Sequence, residues 1–375
     1  MAGPRLDEAA QAALDRRFMA AAIRLSRRNA GRTSTNPSVG TIIVRDDGAG
    51  PMIVGTGVTA VGGRPHAETE ALAEAGELAR GATAYVTLEP CAHHGRTPPC
   101  ANALVNAGIA RVVGAASDPD PRVSGKGYAI LRTAGVEVAE RVLATEAAEQ
   151  MAGYLTRSLK KRPEVTLKLA LSSDGKIGRK GAGQVAITGE IARRDVYLMR
   201  AEADAILIGI GTALEDDPAL TVRLPGLENR SPARIVLDRQ IRLPETSRLV
   251  SGVDRVPLYV AACPEADAHR RASLERAGVH FIGTETYESE IALPELLEDL
   301  AALGMASVLV EGGARVAKAF LEEDLVDRIV LFQGREAIGE DGIASPIDAD
   351  HIPAGFRKLR DMRFGEDSYA EWVRP

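Results

Sequence analysis

Cysteine is scarce in this chain: three among 375 residues. So few thiols, in an odd number, exclude the disulfide framework of a small secreted domain. Aromatic residues make up only 4%, so the cores must be built mainly from Ala, Val, Ile and Leu. No apolar run approaches the roughly 18 residues of a membrane span. The N-terminal stretch MAGPRLDEAAQAALDRRF lacks the apolar segment of a secretory signal. These absences predict a soluble, cytoplasmic protein with no membrane partner. Positive charge is also short, since 46 Lys and Arg against 52 Asp and Glu leave a formal net charge of −6. A nucleic-acid partner is therefore not expected, because neutralising phosphates needs clustered cations. One short basic run, Arg157 to Arg162, reads as a solvated helix end.

What is present is enough apolar sequence, 45% of the residues, for packed cores. A chain of 375 residues predicts two domains of roughly 150 to 200 residues. In the first half, helical spacing covers 14–28, 67–80, 100–108, 125–134 and 145–160. Strands are predicted at 39–44, 52–59, 84–88 and 111–116, the first two joined by the turn signal Asp46-Asp47-Gly48. The basic run and Pro163 stop the last of these helices, which puts a domain boundary near residue 160. The second half begins again with a strand at 165–171 and continues with strands at 204–209, 233–238, 256–261, 306–310 and 327–332. Helices at 189–202, 265–277, 290–303 and 314–323 fall between them. Such alternation predicts two α/β layered domains, 1–160 and 161–375.

The first half carries a metal-binding constellation. His66-Ala67-Glu68 opens a predicted helix, Cys91 follows an apolar strand through Glu89-Pro90, and Cys100 opens another helix. One imidazole and two thiolates suit zinc and leave the fourth tetrahedral position to water. Zinc acidifies such a water towards neutrality. Glu68, two residues from His66, is expected beside that water as a proton carrier and not as a ligand. His-x-Glu followed by Pro-Cys and a second Cys is the order found in zinc deaminases. The generic spacing has two residues between the cysteines, whereas here Ala-His-His-Gly-Arg-Thr-Pro-Pro intervenes. A closed structural zinc, with His93, His94 or Cys263 as fourth ligand, stays open at this point.

Asn36-Pro37-Ser38-Val39-Gly40, Pro65-His66-Ala67-Glu68, the stretch from Thr87 to Cys100 and the loop Asp118 to Gly127 closely resemble the bifunctional riboflavin-biosynthesis deaminase–reductase family. The long loop between the cysteines separates that family from cytidine and tRNA deaminases. The resemblance implies a cytidine-deaminase-like three-layer domain and zinc held by His66, Cys91 and Cys100. It implies Glu68 as catalytic acid/base in zinc-hydroxide-mediated hydrolytic deamination. Its substrate is 2,5-diamino-6-(5-phosphoribosylamino)pyrimidin-4(3H)-one, with Asn36, His93 and Arg96 facing it and Arg96 placed for the phosphate. Asn36 also reads as a turn residue before Pro, and Arg96 as a surface loop residue. One departure is Thr59, where the family usually has a His.

The second half has two glycine signals. Gly209-Ile210-Gly211-Thr212 fails as a dinucleotide fingerprint because Leu214 occupies the last glycine position. Glu311-Gly312-Gly313-Ala314 lies between a predicted strand and helix, where backbone N–H groups make an anion site. A tight turn without a ligand fits equally well. Leu167-Lys168-Leu169-Ala170, Ser173-Asp174-Gly175-Lys176, Ile187-Thr188, Ala192-Arg193-Arg194-Asp195 and Asp216 to Arg223 resemble the reductase half of the same family. This implies a dihydrofolate-reductase-like domain that uses NADPH to reduce the ribosyl group of 5-amino-6-(5-phosphoribosylamino)uracil to a ribityl group. Ala170, Ala186, Thr212, Asp216, Gly313, Ala314, Arg315 and Val316 become the cofactor candidates. Gln184, Arg200, Leu220, Arg223 and Glu311 become the substrate candidates. Val185-Ala186 stands where the family commonly has an aromatic, and Gln184 where Ser is common. The resemblance also implies a homo-oligomer, dimer or tetramer. The last 40 or so residues carry little that is recognisable.

Overall fold

The computed structural model describes residues 7–93, 98–120, 123–287 and 290–374. It divides into two compact units, Met1–Lys160 and Lys161–Pro375. Both are α/β, as expected.

The first unit runs α1 (Glu8–Ser26), β1 (Gly40–Arg45), β2 (Met52–Val58), α2 (Ala67–Ala75), β3 (Thr83–Leu88), α3 (Cys100–Asn106), β4 (Arg111–Ala116), α4 (Lys126–Thr133), β5 (Glu137–Ala139), α5 (Ala144–Gln150) and α6 (Ala152–Lys160). The strands form one sheet in the order β2-β1-β3-β4-β5. The β1–β2 hairpin and the β1–β3 pair are antiparallel, and β3, β4 and β5 run parallel. β1 and β3 are almost wholly buried, as expected of apolar strands covered on both faces. Small residues let the helices come close. A Cβ on Gly57 of β2 would stand 2.0 Å from the carbonyl oxygen of Ala67, in the first turn of α2. Only glycine at that point lets α2 lie against β2 and carry its N-terminus to the sheet.

The predicted helix over 145–160 is two helices. Met151 leaves helical geometry (φ −114°, ψ 20°) between α5 and α6. Gly153, two residues on, weakens helical propensity there, and Ala147 and Met151 are both buried in the core, where packing bends the chain.

The second unit contains β6 (Glu164–Leu171), β7 (Lys176–Arg179), α7 (Glu190–Glu202), β8 (Ala205–Gly209), α8 (Ile210–Asp216), β9 (Ala233–Leu237), α9 (Arg248–Ser251), β10 (Leu258–Ala262), α10 (Ala268–Arg276) and β11 (His280–Gly283). It continues with β12 (Thr286–Tyr287), β13 (Glu290–Ile291), α11 (Leu293–Ala302), β14 (Ser307–Val310), α12 (Ala314–Glu322), β15 (Arg328–Gln333), β16 (Gly342–Ala344), β17 (Arg357–Phe364) and β18 (Asp367–Val373). Its main sheet has nine strands in the order β11-β10-β9-β8-β14-β6-β15-β18-β17. All neighbours are parallel except the pairs that β18 makes with β15 and β17. In such sheets ligands bind beyond the carboxyl ends of the parallel strands.

β6 alternates in burial. Val165, Leu167, Leu169 and Leu171 enter the apolar core, so Lys168 and Ala170 share the opposite face. No helix among the described residues is long and apolar enough to cross a membrane.

Candidate active sites

In the first unit, His66 caps α2 in extended geometry (φ −74°, ψ 158°) and Glu68 lies in its first turn. The chain therefore turns between the two side chains, and both face one cavity of about 570 Å³. Cys91 follows β3 and Cys100 is the first residue of α3. The Nδ1 of His66 lies 3.8 Å from Cys91 Sγ and 3.3 Å from Cys100 Sγ. All three ligand atoms fall within 4.8 Å of one another. With metal–sulfur and metal–nitrogen bonds of zinc length, the S···N edge of a tetrahedron is about 3.5 Å, so this donor set fits zinc. No fourth His, Cys, Asp or Glu joins the group among the described residues. Cys263 is buried in the other unit, beyond β10. His93 lines the cavity instead, its Nδ1 buried without a partner among the described residues. His94 and Arg96 lie outside the described residues.

Hydrogen bonding with Cys100 pulls the Cys91 thiol down to about 4, while the same contact and burial push Cys100 far up. Glu68 is buried, and burial followed by the Cys91 charge pushes its carboxyl up to about 7. Glu89, next to Pro90, has a structural task. Its carboxylate accepts the N–H groups of Gly125 and Gly127 at 3.0 and 3.1 Å and so anchors the start of α4.

Asn36 lines the cavity and donates from Nδ2 to the Gly63 carbonyl at 3.2 Å, which leaves its Oδ1 as an acceptor. Thr59, where the family usually has His, is buried; its Oγ1 accepts the Val39 N–H at 3.0 Å. Arg157 corrects the reading of the basic run as solvated. Its guanidinium lines the cavity and donates to the Thr35 carbonyl at 2.7 Å. Tyr154 and Ser158 line the cavity with it, a spacing that marks one helix face. Arg162, at the end of the run, makes a bidentate pair with Asp327 of the second unit's own fold.

In the second unit every predicted cofactor and substrate residue lines one cavity of about 1660 Å³. Ala170 comes from β6, Thr212 and Asp216 from α8, and Gly313 to Val316 from the start of α12. Gly312 must be glycine, since a Cβ there would meet Val316 at 2.7 Å. The turn from β14 into α12 is thus closed tightly and presents backbone N–H groups to the cavity. Gln184, Val185 and Ala186 line the wall where an aromatic was expected from the family.

Glu311, just after β14, is the charge centre. Arg200 donates to its two oxygens at 2.7 and 3.0 Å, and Lys168 lies 3.6 Å away. Burial alone would raise this carboxyl; the charges of Arg200 and Lys168 outweigh it and hold Glu311 at about 2. Burial in turn pulls the Lys168 ammonium down. Arg200 gets there because α7 buries the face of Ala192 and Val196, and residue 200 continues that i, i+4 row. Lys168 was missed as a site residue, although its alternation with Ala170 along β6 was the available signal. Leu220 buries its side chain in the core and has φ 53°. That strained backbone, beside Asp217 at φ 37°, is what the loop offers the cavity.

Two family models match. Residues 12–116 match the cytidine and deoxycytidylate deaminase zinc-binding region, and residues 163–368 match the RibD C-terminal domain. The riboflavin biosynthesis protein RibD of Aquifex aeolicus is 38% identical over 356 residues, covering 94% of this chain and 97% of that one. The chain belongs to the RibD family. The Escherichia coli RibD protein is 38% identical over 338 residues, covering 87% and 89% of the two chains. Among solved structures, Acinetobacter baumannii RibD has 36% identity and a TM-score of 0.84, over 97% of this chain and 99% of that one. The Thermotoga maritima diaminohydroxyphosphoribosylaminopyrimidine deaminase/5-amino-6-(5-phosphoribosylamino)uracil reductase has 32% identity and a TM-score of 0.83, over 97% and 100%. Membership in the RibD family makes this an enzyme of riboflavin biosynthesis with deaminase and reductase activities, and Zn²⁺ and NADPH are its cofactors. The expected fold, a cytidine-deaminase-like domain followed by a dihydrofolate-reductase-like one, is borne out.

Proposed function

We propose that residues 1–160 deaminate 2,5-diamino-6-(5-phosphoribosylamino)pyrimidin-4(3H)-one and that residues 161–375 reduce the resulting 5-amino-6-(5-phosphoribosylamino)uracil. The observation that carries this is the cluster of His66, Cys91 and Cys100, of which His66 and Cys91 line one cavity together with buried Glu68, in a chain whose second unit holds Glu311, Arg200 and Lys168 at another.

His66 Nδ1 and the sulfurs of Cys91 and Cys100 are the zinc ligands. Zinc held there supplies a Lewis acid and a water acidified towards neutrality. Glu68 takes a proton from the attacking water and gives it to the departing amine, which leaves as ammonia while a carbonyl forms on the ring. Asn36 Oδ1 accepts from the pyrimidine, and His93 Nδ1 meets the substrate's polar edge. Arg96 and Arg157 supply charge for the phosphate.

In the reductase, NADPH supplies the hydride that converts the opened ribosyl group to ribityl. Ala170, Ala186, Thr212, Asp216 and the turn Gly313-Ala314-Arg315-Val316 hold the cofactor. Gln184, Arg223, the Leu220 backbone and the Arg200–Glu311 pair orient the substrate. The opened ribosylamine is an imine at C1′, so a hydride delivered to that carbon would need a proton at the nitrogen, and the Lys168 ammonium beside Glu311 would supply it. The enzyme works in the cytoplasm, a reading supported by its free cysteines, which a thiolate metal site needs reduced. It assembles as a homo-oligomer, for which the long edge strand β17 offers a surface; light scattering tests this.

The deciding experiment supplies the pyrimidine substrate with and without NADPH and follows ammonia and cofactor absorbance together. Ammonia without NADPH, and NADPH oxidation only after ammonia appears, are expected. A zinc-loaded protein that releases no ammonia would overturn the deaminase assignment, and unchanged absorbance with the deaminated compound would overturn the reductase assignment.

A further inference from the structure

The wall of the deaminase cavity holds groups that the reaction above does not use. Asp118, Tyr154 and Ser158 line it together with Glu68 and Arg157. All three lie beyond residue 116, where the zinc-binding region shared with other deaminases ends. The common metal chemistry therefore does not require them.

Asp118 stands two residues beyond the end of β4. β4 runs parallel to β3 with Ala116 opposite Leu88, and Cys91 stands three residues beyond Leu88. Asp118 thus flanks the metal ligands at the carboxyl ends of two neighbouring strands. Its side chain is buried. Oδ1 accepts twice, from the Asp120 N–H at 2.9 Å and from the Tyr154 hydroxyl at 3.0 Å. Oδ2 accepts from no group among the described residues. A carboxylate oxygen enclosed in this way costs free energy unless a donor meets it.

Tyr154 approaches from the other side, in the first turn of α6, with its ring packed against the core of the first unit. Ser158, one turn further on, is hydrogen-bonded to the same hydroxyl, and Arg157 shares that helix face. A hydrogen-bonded chain therefore runs from Ser158 through Tyr154 to Asp118. The phenol cannot turn away without giving up its packing. Its hydroxyl fixes Oδ1, and with it the direction of Oδ2.

The substrate supplies the missing donor. Its ring is held beside the metal ligands by Asn36 and Glu68, and its phosphate by Arg157. Between ring and phosphate stand the linking N–H and the ribose hydroxyls, all neutral donors. Asp118 occupies the same interval of the cavity wall, between Cys91 and the Arg157 face of α6. A charged acceptor there makes stronger hydrogen bonds than a neutral one.

We propose that Tyr154 is a positioning residue of the deaminase, holding Asp118 so that Oδ2 accepts from the ribosylamino part of the substrate. The proposal deepens the deaminase reading above and rests on it.

The test measures kcat and KM for ammonia release by the full-length, zinc-loaded protein. Y154F keeps the packed ring and removes the hydroxyl. KM should rise about 3- to 10-fold, with kcat within about twofold of the parent. D118N should raise KM roughly ten- to a hundredfold. Y154F/D118N should match D118N within about twofold, because Tyr154 acts through Asp118. The substrate without its phosphate, used as a competitor, gives a second measurement that needs no change at Asp118. Y154F should weaken this competitor by the same factor as the substrate. A fall in kcat at unchanged KM, additive losses in the double variant, or a loss confined to the phosphorylated compound would each overturn the proposal. The last of these would mean that Tyr154 only seats Arg157. Parent protein that releases no ammonia would remove the deaminase reading and the proposal with it, an outcome distinct from the others.

Discussion

Glu68 is a single carboxylate enclosed by the protein at the mouth of a His/Cys/Cys cluster, and its substitution separates metal binding from proton transfer. E68Q keeps the size of the side chain and removes the proton carrier. Ammonia release should fall about 10²- to 10⁴-fold, with zinc content per chain unchanged by elemental analysis. Loss of zinc in E68Q would make Glu68 part of the metal site instead. Glu311 is the counterpart in the reductase. E311Q leaves Arg200 and Lys168 without their counter-charge in a buried setting, which should cost about 3 kcal/mol or more and abolish NADPH oxidation while ammonia release persists. Its pH dependence has a fixed sign. Glu311 is held at about 2 against an ordinary 4.5, so its contribution is complete above 4.5 and is lost as pH falls towards 2. The stability gap between E311Q and the parent, measured by urea unfolding of the second unit, should shrink as pH falls through that window. The His66/Cys91/Cys100 cluster was legible in the sequence because metal chemistry restricts residue type: only a few side chains bind zinc, and their order is readable. Lys168 and Arg157 were not, because a cation in a sequence looks the same whether it faces solvent or a cavity. What distinguishes them is the strand or helix face they occupy.

At the scale of elements, the deaminase site depends on how closely α2 lies on β2. In G57A the new Cβ would stand 2.0 Å from the Ala67 carbonyl oxygen, a backbone contact that no rotamer change relieves. The first turn of α2, with Glu68 in it and His66 before it, has to move outward. A loss of about 1–3 kcal/mol is expected, seen as a lower melting temperature of the first unit. Zinc should dissociate faster on chelator challenge, while NADPH affinity stays as it was. Unchanged zinc release would mean that α2 shifts as a rigid piece and carries the site with it. The same scale explains which elements could be read from sequence. β6 was plain because its apolar residues alternate against a core on one face. β17, Arg357–Phe364, was not, because it is an edge strand exposed along most of its length and charged on both faces. β18 hid itself differently. Glu371 is buried in it, paired with Arg328 and bonded by the Tyr369 hydroxyl at 2.9 Å. A buried acid in a strand reads as a loop until its partner is known.

At the scale of the whole molecule, the two units have separate cores and separate cavities. Among the described residues, each cavity is lined by residues of its own unit. Removing zinc with a chelator should therefore stop ammonia release and leave reduction of the deaminated uracil compound at its original rate. The stronger consequence concerns mixtures. E68Q chains should make the intermediate about 10²- to 10⁴-fold more slowly but keep an intact reductase, and E311Q chains should make it without reducing it. If the intermediate leaves one site and finds the other through solution, equal amounts of the two variants should restore conversion of the pyrimidine substrate to the ribityl product. A lag should precede the product, lasting until the free intermediate nears the KM of the reductase. The measurement is product formation in the mixture against each variant alone, with the lag shortening as total protein rises. Mixed oligomers would give recovery without that concentration dependence, since each assembly would then hold both competent sites. No recovery at any protein concentration would overturn the separation of the sites and require that the intermediate be passed on within one chain.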